Sequence, residues 1–258
     1  MTSAAQFLSI SESAMWLYLI TFLRVAPVIS LIPGFGEQSV PVRVKLALAL
    51  AFTVIVAPLV EPQIAAADTP DLGGLAWLVM TETLIGLVIG IGLRLFVLAL
   101  QTAGTIAGQA TSLAQVLAGM GATPIPALGH ILVFGSLALA MMTGLHVQVT
   151  RMIVLTYGLF PVAMLADAAS VSQWGVRQVS GAFALAFTLA APFVIVSVIY
   201  NLTLGIINRA MPQLMVVFVG APVIAGAGIV VLLLLAPTMM TVWIEALQTF
   251  TANPFGGR

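Results

Sequence analysis

The side chains that most often carry acid–base, thiolate or metal chemistry are scarce in this chain. It has two histidines, His130 and His146, eight acidic residues and no cysteine. Neither histidine belongs to an HExxH pattern or sits beside carboxylates at metal-ligand spacing. No Gly-x-Ser-x-Gly elbow and no phosphate-binding loop occurs. An intramembrane protease or a lipid-modifying enzyme needs a nucleophile with its base, or an acid pair, and the sequence supplies neither. Each histidine reads as an interfacial or hydrogen-bonded structural residue. The expectation is a protein that is not an enzyme and uses no cofactor and no metal.

The charges placed inside apolar runs say more. Arg24 lies in the first such run, and Glu82 and Arg94 lie in the third. Glu82 and Arg94 are twelve positions apart, which on a helix is about 18 Å of rise and about a third of a turn out of phase. They cannot pair with each other, so each needs a partner on another helix, in another chain or in water. One reading makes Glu82 a proton or cation relay, since ionisable groups inside a membrane are functional candidates. The other makes both residues structural contacts, because no second acid accompanies Glu82 to continue a relay.

The elements that must position these residues are membrane helices. Hydrophobic residues make up 61% of the chain and charged ones 6%, against about 25% charged in soluble domains. Formal net charge is zero, which argues against a nucleic-acid partner gripped through its phosphates. The opening MTSAAQFLSISES contains Glu12 but no lysine or arginine, so a cleaved signal peptide is not expected. Spans need roughly 20 apolar residues, and candidates fall near 13–32, 43–60, 74–100, 126–145, 147–165, 179–206 and 214–247. The fourth and fifth read as one bent hairpin around Gly144 and His146, giving six helices, or seven if they separate. The segment 167–174 reads as a short polar connection. Arg43 and Lys45 place the first loop on the cytoplasmic side, with the N-terminus on the other.

Two patterns describe the packing. Gly86–Gly90 and Gly104–Gly108 have the GxxxG spacing that lets helix backbones approach closely. Between Arg94 and Arg151 there is no formal charge, yet Gln101, Thr105, Gln109, Ser112 and Gln115 recur at helical spacing and make one face of amides and hydroxyls. That face lines an aqueous lumen, plugs one, or forms a hydrogen-bonded seam between helices. The following LAGMGATPIP, with Met120, reads as a pliable loop, since methionine fills irregular gaps. A plug-like segment is therefore expected at about 101–126, within a single domain spanning 1–258.

The stretch NRAMPQLMVVFVGAP (208–222) puts Asn208, Arg209, Pro212 and Gln213 between two apolar runs. An apolar segment, Asn-Arg-Ala-x-Pro-Gln, then a hydrophobic run with Gly-x-Pro resembles the C-terminal signature of the FliR family. These are export-gate proteins of flagellar type III secretion systems, with counterparts in virulence injectisomes. LRVAPVISLIPGFGEQSVPVRVKLALALA (23–51) and the third helix, with Glu82 before Gly86 and Gly90, also resemble the family, so the likeness covers nearly the whole chain. The resemblance implies an all-α, polytopic hydrophobic protein of about six helices, folded as broken helical hairpins in a helical hetero-oligomeric assembly. It implies FliP-like, FliQ-like and FlhB-like partners, unfolded exported proteins as substrates, and a bacterial inner-membrane site in the flagellar basal body.

Pro212 lacks the N–H that a continuous helix needs, and Asn208, Arg209 and Gln213 can satisfy carbonyls freed by a break. The cluster is expected to be the turn of a helical hairpin and a subunit contact, or else a polar loop whose arginine snorkels to water. The alternative function is a secondary transporter or small-molecule channel with Glu82 as its coupling residue.

Overall fold

The computed structural model describes residues 2–64, 72–111, 127–211 and 216–256. Among them there are seven helices and no strand. They are α1 (Thr2–Leu31), α2 (Val42–Ile64), α3 (Leu72–Thr111), α4 (Ala127–Met142), α5 (Leu145–Leu159), α6 (Ala168–Ala210) and α7 (Val216–Ala252). Five are long and apolar enough to cross a membrane, or six if α4 and α5 count as one broken span. Helix is the expected answer to so apolar a sequence, because it satisfies every interior backbone group within one segment.

The break between α4 and α5 falls at Gly144, whose φ of 77° is left-handed. Glycine takes that conformation without a Cβ penalty. By contrast Pro27 in α1, Pro58 and Pro62 in α2 and Pro192 in α6 are carried inside continuous helices. In an apolar setting, losing one backbone bond at a proline costs less than unwinding a turn and stranding several. Two elements reach further than their composition suggests. The third runs on to Thr111, and α6 begins at Ala168, so the polar stretch 167–174 forms the first turns of a helix and not a connection.

The helices gather into two units. The first comprises Met1–Arg94, Met141–Gln178 and Leu247–Arg258, and the second Leu95–Ala140 and Val179–Ala246. In the first, α1 packs along α2, and α2 along α5. Val25, Val28 and Ile29 of α1, Val56 and Val60 of α2, Ile89 and Leu93 of α3, and Val149 and Met152 of α5 are fully buried there. Residues 72–94 of α3 come against α1 at two glycines. A Cβ on Gly86 would meet the carbonyl oxygen of Arg24, and one on Gly90 would lie 3.1 Å from that of Pro27.

The C-terminal segment closes this unit through aromatic contacts. Trp174 donates to Pro254 O at 2.7 Å, and its ring lies 5.5 Å from that of Phe255. In the second unit, Trp243 is fully buried and donates to Phe96 O at 2.9 Å. There α3 and α4 touch at glycine on glycine, Gly104 against the Cα of Gly129.

Candidate functional site: a buried charge network

The most chemically loaded point of the first unit is the guanidinium of Arg24, which is fully buried, as is Glu82. Close approach of α1 and α3 through Gly86 brings the two together. Arg24 Nε lies 2.7 Å from Glu82 Oε2, and Nη2 donates to Oε1 at 3.1 Å. This two-point geometry suits the planar guanidinium fork. Arg24 Cζ also stands 3.8 Å from the centroid of the Tyr157 ring on α5, which offers its π face to the cation. Removing one partner of such a pair costs about 3–5 kcal/mol, because the other charge is left buried and uncompensated.

The remaining hydrogen-bonding capacity of the pair goes to the last turn of α5 and the connection after it. Arg24 Nη2 donates to Phe160 O at 3.0 Å, and Nη1 reaches Thr156 Oγ1 at 3.5 Å. The backbone N–H of Ala163 donates to Glu82 Oε1 at 3.2 Å, and Trp77 Nε1 donates to Ala163 O at 2.9 Å. Ala163 has φ 61° and is the one non-glycine residue with positive φ among those described. An L-residue in that region carries a penalty of roughly 1–2 kcal/mol. The connection ends at Asp167, whose carboxylate accepts from the N–H and the hydroxyl of Ser170 at 2.8 and 2.9 Å. These bonds favour the ionised form and hold the Asp167 pKa below the usual carboxylate value.

A second pair lies in the same unit. Arg94 Nη1 meets Glu37 Oε1 at 2.7 Å, the two side chains 19% and 18% exposed. Lys45 Nζ donates to Gly36 O at 2.9 Å. Together they tie down the turn between α1 and α2.

The residues singled out by sequence are dispersed. Glu82 and Arg94 each pair outside α3, with Arg24 and Glu37. Gln101 and Thr105 are half-buried and Gln109 exposed, while Ala103, Ala107 and Thr111 are buried. Of the amide and hydroxyl face, Gln109 alone of these three is exposed, in the second unit. Ser112, Gln115 and Met120, the expected plug residues, lie outside the described residues. So do Pro212 and Gln213. Asn208 and Arg209 are exposed at the end of α6. Across the break, Gly220 of α7 packs against Tyr200 and Leu204 of α6. His130 is exposed and stacks on Phe134, with ring centroids 6.0 Å apart. Among the described residues, no three histidines, aspartates or glutamates cluster at metal-binding distance. Thr156, Tyr157, Phe160 and Ala163 carry no signal in the sequence. They enter the network only because α5 lies beside Arg24.

Comparison with known proteins agrees over most of the length. The family described as bacterial export proteins, family 1, matches residues 15–250. The flagellar biosynthetic protein FliR of Caulobacter vibrioides is 34% identical over 238 residues, covering 90% of this chain and 94% of that protein. FliR of Escherichia coli K12 is 30% identical over 224 residues, covering 86% and 84%. FliR of Bacillus subtilis is 23% identical over 223 residues, 84% of each chain. With the helical architecture and a family match from near one end to the other, the chain belongs to the FliR family of bacterial export proteins.

Proposed function

We propose that this chain is a core subunit of the export gate of a flagellar type III secretion system, forming part of the channel for unfolded flagellar proteins. Its place is the bacterial inner membrane, in the basal body, with FliP-like, FliQ-like and FlhB-like subunits around it. The observation that carries this reading is the family match over residues 15–250, with relatives named as flagellar biosynthetic proteins. It makes the chain a component of a flagellar export apparatus. The finer role, a wall of the conduit, is supported by the partly exposed face of Gln101, Thr105 and Gln109, which suits water or a polar seam. It is supported also by large apolar side chains left open along α6 and α7, such as Phe187 at 60% and Leu233 at 76% exposure. Neighbouring subunits would cover such faces.

Nothing favours the transporter alternative. Both oxygens of Glu82 are engaged, Oε2 by Arg24 and Oε1 by Arg24 and Ala163, which is a poor state for a group that must pass protons.

Native mass spectrometry of the tagged protein, gently solubilised from its own host, tests the assembly. The expected result is a discrete hetero-complex with two other small hydrophobic proteins. A monomer or homo-oligomer, intact in the same detergent, would overturn the proposal.

A further inference from the structure

We propose that Arg24 and Glu82 form a latch that holds the connection between α5 and α6 in a strained conformation, and that this connection moves when the latch opens. The inference stands on geometry within the first unit and needs no assumption about the conduit.

Three hydrogen bonds from α1 and α3 hold the connection, beside a ring contact of Phe160 with Phe255. Arg24 holds the carbonyl of Phe160, Glu82 holds the N–H of Ala163, and Trp77 holds the carbonyl of Ala163. The fully buried pair must satisfy its remaining donors and lone pairs, and it does so on the backbone of this connection, so the pair and the connection are mechanically joined. At Ala163 the held conformation is left-handed, φ 61°. A turn that merely required this conformation would be served by glycine, which takes it freely. With alanine there, the backbone resists the conformation that the latch imposes, so it acts as a spring.

There is also room for the spring to relax. An apolar cavity of about 330 Å³ adjoins the connection, with Leu84, Ile85 and Val88 of α3 on one side and Phe160, Leu165 and Ala166 on the other. Packed interiors leave no second position for a segment without disturbing neighbours, whereas this one borders an open apolar groove. On its outer side Met164 is 59% exposed, so the described chain covers less than half of it. Glu82 stands less than one turn from Leu84 and Ile85, so the latch and the cavity wall are set by the same stretch of α3.

The absence of cysteine from the chain permits a single reporter, A166C, on the half-buried cavity wall. Its reaction with a maleimide would be followed in the full-length protein, in the complex as extracted from host membranes. E82Q keeps an amide oxygen near Ala163 but loses the charge that holds Arg24. It is expected to speed labelling about tenfold, the size of one left-handed backbone penalty. W77F leaves the ion pair intact and removes one of the three contacts, and is expected to speed labelling by a smaller factor. A163G removes the strain and is expected to slow labelling in every background, although glycine would loosen an ordinary loop.

Unchanged labelling in both E82Q and W77F would overturn the latch, as would faster labelling in A163G. Lost thermal stability in E82Q without a change in labelling would reduce the pair to a fold-holding contact and overturn it too. If E82Q does not assemble, W77F and A163G decide the matter.

Discussion

At Gly86 a single hydrogen stands where any other residue would drive a carbon into the carbonyl of Arg24. That contact sets the separation of α1 and α3, and so the distance across which Arg24 reaches Glu82. Gly86→Ala is expected to force the helices apart and cost about 1–3 kcal/mol, the usual range for overpacking. Gly181, also in a helix, has open space where its Cβ would be, so Gly181→Ala is expected to be neutral or to stabilise by up to about 1 kcal/mol. Thermal denaturation of the two variants within the solubilised complex compares them, and equal melting temperatures would remove Gly86 from the argument. The spacing Gly86–Gly90 was legible in the sequence because small residues four apart make a flat helix face whatever lies opposite. The pairing of Arg24 with Glu82 was not. The two are 58 positions apart, and Glu37 offered the same chemistry to Arg24. Only the helix that docks against α1 decides between the two acids, and that choice is tertiary.

At the level of elements, most of the apolar runs were legible and their ends were not. The apolar run of the third helix ends near 100, but the helical spacing of Gln101, Thr105 and Gln109 carries on past it, and α3 continues through them to Thr111. Thr105 and Thr111 fold their hydroxyls back onto the carbonyls of Gln101 and Ala107 at 2.8 and 2.9 Å, so polar side chains can ride on a helix without opening it. The start of α6 was misplaced for a related reason. Asp167 is its N-cap, with Ser170 at the third helical position receiving the cap, and an Asp-x-x-Ser run resembles a turn until the cap is recognised.

The cap gives a pH dependence with a definite sign. Because the folded-state pKa of Asp167 is lowered, its contribution is fully present above the ordinary aspartate value. It is lost as pH falls through the lower folded value. Hydrogen exchange of residues 168–172 is expected to quicken in Asp167→Ala at neutral pH by a few-fold. Asp167→Asn, which keeps a capping oxygen but cannot titrate there, is expected to protect these amides and to flatten their acid response. Exchange in the parent that ignores pH down to the acid limit would refute the cap's role.

For the whole molecule, the chain carries eight basic and eight acidic residues. Arg24, Arg94 and Lys45 are committed within the chain. Arg209 differs. It is exposed in the last turn of α6, and among the described residues it makes no ion pair. The helix dipole favours a cation at that end by a fraction of a kcal/mol, which does not require arginine. Gly220 of α7 packs against Tyr200 and Leu204 of α6, and we propose that Arg209 lies at the turn of a helical hairpin where a neighbouring subunit meets it.

If Arg209 serves a partner through charge-assisted hydrogen bonds, Arg209→Ala forfeits roughly 1.5–3 kcal/mol of association, about ten- to a hundredfold in assembled complex. Arg209→Lys would recover part of this, because lysine keeps the charge without the planar fork. Expression of the isolated chain is expected to be unchanged, since nothing inside the described fold leans on this side chain. If the arginine instead only snorkels to water, Arg209→Ala and Arg209→Gln will enter the complex, and support motility, as well as the parent does. Quantifying the co-purified partners beside a motility assay separates the two roles, because a contact residue lowers both in parallel while the level of the chain itself stays constant.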